Sequence, residues 1–164
     1  MTSVPDSVSA AIEVTLDPAA AFEVFTNEID LWYQRGPYSW NYPEKAVGIR
    51  FEPGLGGRLI EVHDAATGEG FDCGRITAWE PGIRLVYAFT SLRLLEPLTE
   101  VEIRFEPVEH GTRVTWEHRG YSRLPLELAL RELEGSQYGV PVGLRWFGAY
   151  VARQEIPMPE VSRA

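Results

Sequence analysis

"TEVEIRFEPVEHGTRVTWEHRGY", residues 99–121, is the stretch whose reading decides the fold. In its first half Val101, Ile103 and Phe105 alternate with Glu100, Glu102, Arg104 and Glu106. Its second half repeats the pattern, with Val114, Trp116 and His118 set against Arg113, Thr115, Glu117 and Arg119. A period of two sends successive side chains to opposite faces, so each half reads as a strand with one dry and one wet face. The intervening Glu109-His110-Gly111 leaves room only for a tight hairpin. Both signs of charge stand on the wet faces, where cross-strand ion pairs are expected, each individually weak.

The same alternation extends upstream. "AVGIRFEP" (46–53), "GRLIEVH" (57–63), "GFDCGRITAWEP" (70–81) and "IRLVYAFTS" (83–91) read as four more strands joined by short turns. An earlier strand is expected in "SAAIEVTL" (9–16). Asp17-Pro18 then supplies an N-cap and a first helical residue, and Phe22, Phe25 and Ile29 recur at helical spacing. The segment 30–45 carries two prolines, a glycine and five aromatics, and reads as a loop with at most one short helix. Past the hairpin the pattern turns helical. "LPLELALRELEG" (124–135) ends on Gly135 and reads as a solvated helix. A second helix is expected over 136–154, with Pro141 near its start. Gly143 and Gly148 interrupt it, which suggests that something approaches the backbone there. Strands flanked by helices indicate an α+β architecture: a curved antiparallel sheet with a long C-terminal helix across its dry face.

Bulk properties exclude several classes. The 164 residues are 45% hydrophobic and 24% charged, which fits one globular domain spanning 1–164 with its core at about 9–153. A net charge of −9 with scattered basic residues argues against nucleic acid and anionic membranes. No run approaches the ~20 apolar residues of a membrane helix, and the first residues carry no signal-peptide pattern. One cysteine, Cys73, cannot form an internal disulfide, so a cytoplasmic location is expected. His63, His110 and His118 show no metal-ligand spacing, so neither a metal nor any other cofactor is expected.

"FEPGLGGRLIEVH" (51–63) raises the question of a phosphate cradle. Leu59 stands where a dinucleotide fingerprint needs its last glycine, no lysine follows, and a strand pattern comes next. Phosphate sites of this kind need a helix N-terminus, so Gly54, Gly56 and Gly57 read as a tight turn.

"FEPGLGGRLIEV", "CGRITAWEPGIRLVYAF" and "TEVEIRFEPVEHGTRVTWEHRGY", in that order, resemble the bacterial proteins similar to the C-terminal domain of the activator of the Hsp90 ATPase. These belong to the START-like, or Bet v 1-like, helix-grip superfamily. "DPAAAFEVFTNEIDLWY" and "GLRWFGAYV" also match, so the resemblance spans roughly 9–153. Its most specific part is G-[RK]-[IV]-x-x-W-E-P-x-x-[RK]-L-[VI], met here from Gly74 to Val86. The resemblance implies a seven-stranded sheet gripping the last helix, with an apolar cavity between them. Relatives in the superfamily bind lipids, sterols or polyketides, some cyclise or dehydrate polyketides, and some act as co-chaperones. Such a fold locates a site without naming an activity.

Aromatic walls with a few polar groups describe most small-molecule sites. The candidates here are Trp32, Trp40 and Tyr42 in the aromatic loop, Phe51, Phe71, Tyr87, Phe89, Phe105 and Trp116 on strands, and Trp146 and Tyr150 on the last helix. His118 shares the dry face and could orient a ligand or move a proton. Glu61 is a second catalytic candidate if it points inward, although Ile60 and Val62 compete for that face. Cys73 reads as a buried structural thiol. The expectation is a binding protein for a small apolar or amphipathic molecule, with no catalysis and with a homodimer possible. A polyketide cyclase or dehydratase using His118 is the alternative. A co-chaperone of an Hsp90-type ATPase is the third reading, weakened because no further domain precedes the helix-grip region.

Overall fold

The computed structural model describes residues 4–34, 39–94 and 96–155. Seven strands form one sheet: β1 (Ser7–Val14), β2 (Gly48–Phe51), β3 (Arg58–Asp64), β4 (Glu69–Glu80), β5 (Arg84–Phe89), β6 (Thr99–Val108) and β7 (Gly111–Arg119). Every neighbouring pair is antiparallel, in the order β1-β7-β6-β5-β4-β3-β2. Among the described residues three α-helices, α1 (Pro18–Asn27), α2 (Ile29–Trp32) and α3 (Leu126–Glu155), and a short 3-10 turn at Tyr121–Arg123 complete it.

Local chemistry explains the elements. Asp17 caps α1 by accepting the Ala20 N–H at 2.8 Å, and Pro18 starts the helix. The glycine-rich turn links β2 to β3. Gly54 and Gly56 have φ of 98° and 82°, a region that a side chain disfavours, so this turn and not a phosphate site uses them. In the β6–β7 ladder Val101 faces His118, Ile103 faces Trp116 and Phe105 faces Val114. Those six residues share the inner face, as the alternation requires. On the outer face Glu102 receives Arg119 at 2.7 Å, Arg104 at 3.1 Å and Arg84 at 3.3 Å. Burial works to raise the Glu102 carboxyl, but these guanidinium groups win and hold it below its ordinary value.

One expectation is corrected. Residues 126–155 form a single helix and not two, running through Gly135 and Pro141. Proline removes one N–H, which leaves the carbonyl four residues earlier without its partner. That residue, Gln137, is exposed, so water can serve its carbonyl. Packing on the sheet outweighs the local preference to stop. In the C-terminal half of α3, Val140, Leu144, Phe147 and Val151 are buried at helical spacing. There Gly143 admits the Trp116 ring, since a Cβ would lie 2.8 Å from its Cζ3. Gly148 likewise faces Ile12 Cδ1, 3.0 Å from the position of a Cβ.

The sheet–helix layer has two parts. One is sealed by aromatic rings: Phe25 stands 4.9 Å from Trp32, 5.2 Å from Phe147 and 5.9 Å from Phe105, centroid to centroid. The other part, under the N-terminal half of α3, is hollow.

Candidate functional site

The hollow has a volume of about 380 Å³. Its floor is the inner face of β2 to β7, through Ile49, Phe51, Leu59, Glu61, Cys73, Tyr87, Phe89, Val101, Trp116 and His118. Phe25, Ile29, Tyr33 and Trp40 close one side, and Glu132, Ser136, Gly139, Val140 and Trp146 of α3 form the roof. Leu92, Arg93, Arg131 and Tyr138 are exposed at its rim, which sets the mouth between the β5–β6 connection and the first turns of α3.

Of the residues expected at a ligand site, Trp40, Phe51, Tyr87, Phe89, Trp116, His118 and Trp146 border this cavity. The others lie elsewhere. Trp32 is buried in the aromatic seal and donates its indole N–H to the Phe25 carbonyl at 3.1 Å. Phe105 packs on Phe22 and Phe25 in the same seal. Tyr150 donates its hydroxyl to Glu28 at 2.5 Å, a bond that pushes its phenol up to about 12. Tyr42 and Phe71 pack edge to face on each other, and Tyr42 also packs on His63. Tyr38, from the same aromatic loop, lies outside the described residues. Aromatic residues serve a seal and a cavity wall equally well, so residue type alone does not sort them.

Glu61 points inward and is almost fully buried. Its Oε1 accepts the Asn41 backbone N–H at 2.6 Å, and its Oε2 accepts that of Tyr42 at 2.9 Å. The Asn41 amide nitrogen adds a longer bond at 3.4 Å, and His63 Nε2 lies 2.7 Å from Oε2. Glu61 therefore ties the latter part of the aromatic loop to β3. Asn41 continues the tie, because its Oδ1 accepts the Leu92 N–H at 3.1 Å. The competition from Ile60 and Val62 proves no obstacle, since both are buried on the other face of the same strand.

His118 is enclosed by a second set of polar groups. Its Nε2 hydrogen-bonds Thr99 Oγ1 at 3.0 Å, and its Nδ1 lies 3.3 Å from Ser136 Oγ, which itself bonds the Tyr121 hydroxyl. Phe89 packs edge-on at 4.6 Å. Burial, with no carboxylate to offset it, pushes the imidazole down to about 3, so it is neutral at physiological pH. Both ring nitrogens face protein groups, so the geometry makes His118 a brace between β7 and α3. The Cys73 thiol is pushed up to about 12, mainly by burial and then by the Glu61 charge, which makes it unreactive.

Sequence reasoning missed Glu132. It is buried at the roof, receives the Ser91 hydroxyl at 3.4 Å, and has Arg93 Nε at 3.8 Å. Burial raises its carboxyl above the ordinary value against the pull of Arg93. The charge pattern of its helix resembles that of a solvated one, which hid it. Among the described residues no group of three or more His, Cys, Asp or Glu is placed to hold a metal ion, and no helix is long and apolar enough to cross a membrane.

The family described as Activator of Hsp90 ATPase homolog 1-like protein matches residues 15–138. No curated protein matches the sequence at a significant level. Among solved structures, protein MLL2253 from Mesorhizobium loti is 18% identical, with a TM-score of 0.65, covering 92% of this chain and 99% of that one. The AHSA1-like protein from Aeromonas hydrophila is also 18% identical, with a TM-score of 0.56 over 96% and 99% of the two chains. The structure of the Aha1 dimer from Colwellia psychrerythraea is 14% identical, with a TM-score of 0.58 over 88% and 95%. At such identities the likeness establishes the helix-grip fold.

Proposed function

This chain belongs to the Activator of Hsp90 ATPase homolog 1-like family, and we propose that it holds one small, largely apolar molecule between its sheet and α3. The observation that carries this reading is Gly139. A glycine inside a helix costs about 1 kcal/mol relative to alanine. Gly143 and Gly148 repay that cost by letting Trp116 and Ile12 approach. Gly139 has nothing within 4 Å of the position of its Cβ, and it borders the cavity. Helix stability is given up there for open space. Such a sacrifice is what a site selected for room, and not for stability, requires.

A volume of about 380 Å³ falls at the small end of the ~300–1,000 Å³ typical of ligand pockets. Affinity would come from removing apolar surface from water, at ~25 cal/mol per Å² before binding costs. Glu61 and His118 direct their hydrogen bonds at protein groups, which favours retaining a molecule over converting it. A cytoplasmic location and a homodimer belong to the same reading. The second has its parallel in the dimer described for the Colwellia protein, and light scattering tests it. Native mass spectrometry of freshly purified protein tests the reading as a whole. A bound small molecule, or uptake of the neutral dye N-phenyl-1-naphthylamine by an empty cavity, is the expected result. An empty protein that also refuses the dye would overturn it.

A further inference from the structure

The polar groups around the cavity differ in how far the protein itself satisfies them. Glu61 accepts backbone and side-chain donors, both nitrogens of His118 face hydroxyls, and the Tyr33 hydroxyl donates to the Ser39 carbonyl at 3.0 Å. Tyr87 is among those left unmet. It stands in the middle of β5, borders the cavity and is only 5% exposed, yet its hydroxyl bonds no described residue. Its ring is held in place, edge-on to Phe51 at 5.9 Å and against the bare Cα of Gly74, where a Cβ would lie 2.7 Å from the ring. A second donor among the cavity-lining residues, the Trp116 indole N–H, is itself fully buried without a partner among the described residues. Buried polar groups are satisfied in the great majority of native structures, and an unmet one is costly.

We infer that Tyr87 is a specificity-determining residue of this cavity and that its hydroxyl donates a hydrogen bond to an uncharged acceptor, a carbonyl oxygen, on the bound molecule. This rests on the proposed ligand-holding function. Carbonyl chemistry follows from the surroundings. Burial, followed by the neighbouring Tyr33 and Cys73, holds the Tyr87 phenol far above its ordinary range, so it keeps its proton and can donate. Arg93 and Arg131 stand at the mouth, whereas Tyr87 lies on the floor among Phe51, Cys73 and Glu61, where a ligand carboxylate would be desolvated beside another carboxylate. A ketone or aldehyde oxygen meets the donor without bringing in charge.

Displacement of N-phenyl-1-naphthylamine by two matched molecules tests the inference. One is 2-acetylnaphthalene; the other is 2-isopropenylnaphthalene, which has =CH₂ in place of =O. The wild type should favour the ketone, relative to the Tyr87→Phe variant, by about five-fold, the worth of one ordinary hydrogen bond. Tyr87→Phe should melt no lower than the wild type, because no internal bond is lost. Dye binding with the same ketone-to-alkene ratio in both proteins would overturn the inference and leave the cavity reading intact. A variant several degrees less stable would also overturn it, since the hydroxyl would then have a structural partner. Failure of the dye and of both naphthalenes to bind would remove the cavity reading and this inference with it.

Discussion

The two halves of α3 both carry glycines and do opposite things. The C-terminal half sends Leu144, Phe147 and Val151 into a seal of rings, and its glycines let Trp116 and Ile12 press against the helix. The N-terminal half sends Glu132, Ser136 and Gly139 toward a hollow of about 380 Å³. One half spends its glycines on contact and the other spends one on emptiness. The difference teaches that a glycine in a helix is read by what lies opposite it.

The largest expected effect breaks the sealed half. Phe147→Ala should cost about 3–5 kcal/mol in urea unfolding, because Phe147 is wholly buried and touches Phe25 and Trp32. In the hollow half the brace at His118 carries the next effect, seen as pH dependence. Its folded pKa of about 3 lies below the unfolded value of 6.5, so the unfolded chain binds the extra proton first. The stabilisation is therefore complete above pH ~6.5 and is lost as pH falls from there toward ~3, by an amount on the order of 2–4 kcal/mol. Unfolding measured from pH 8 to 4 should show this acid limb in the wild type and a flatter one in His118→Gln.

Glycine substitutions then sharpen the contrast. Gly143→Ala should destabilise by about 1–3 kcal/mol, since the new methyl would meet the Trp116 ring at 2.8 Å. Gly139→Ala should have the opposite sign and stabilise by up to about 1 kcal/mol, since nothing lies opposite. Paired thermal melts of the two variants check the signs. If both variants destabilised alike, the two halves of the helix would not differ in the way described.

The strands were legible because one wet and one dry face force an alternation that survives in the residue order. Val101, Ile103 and Phe105 could be placed inward from their spacing alone. The continuity of α3 was not legible. Gly135 and Pro141 are local stop signals, and only the sheet beneath them overrides them. Glu61 was ambiguous for a related reason: β3 is buried on both faces, so hydrophobicity cannot say which side is the cavity. Trp32, Phe105 and Tyr150 show the limit for aromatics, since the seal and the wall use the same rings. The unmet hydroxyl of Tyr87 has no sequence signal at all, because the lack of a partner is a property of space.

The most direct test of the hollow half is to fill it. Titration of N-phenyl-1-naphthylamine into wild type and Gly139→Leu, with a thermal melt of each, reads occupancy and stability together. Loss of dye binding in a variant that melts at or near the wild-type temperature is the predicted result. Equal dye binding by both proteins would show that the dye sits elsewhere and would contradict the account.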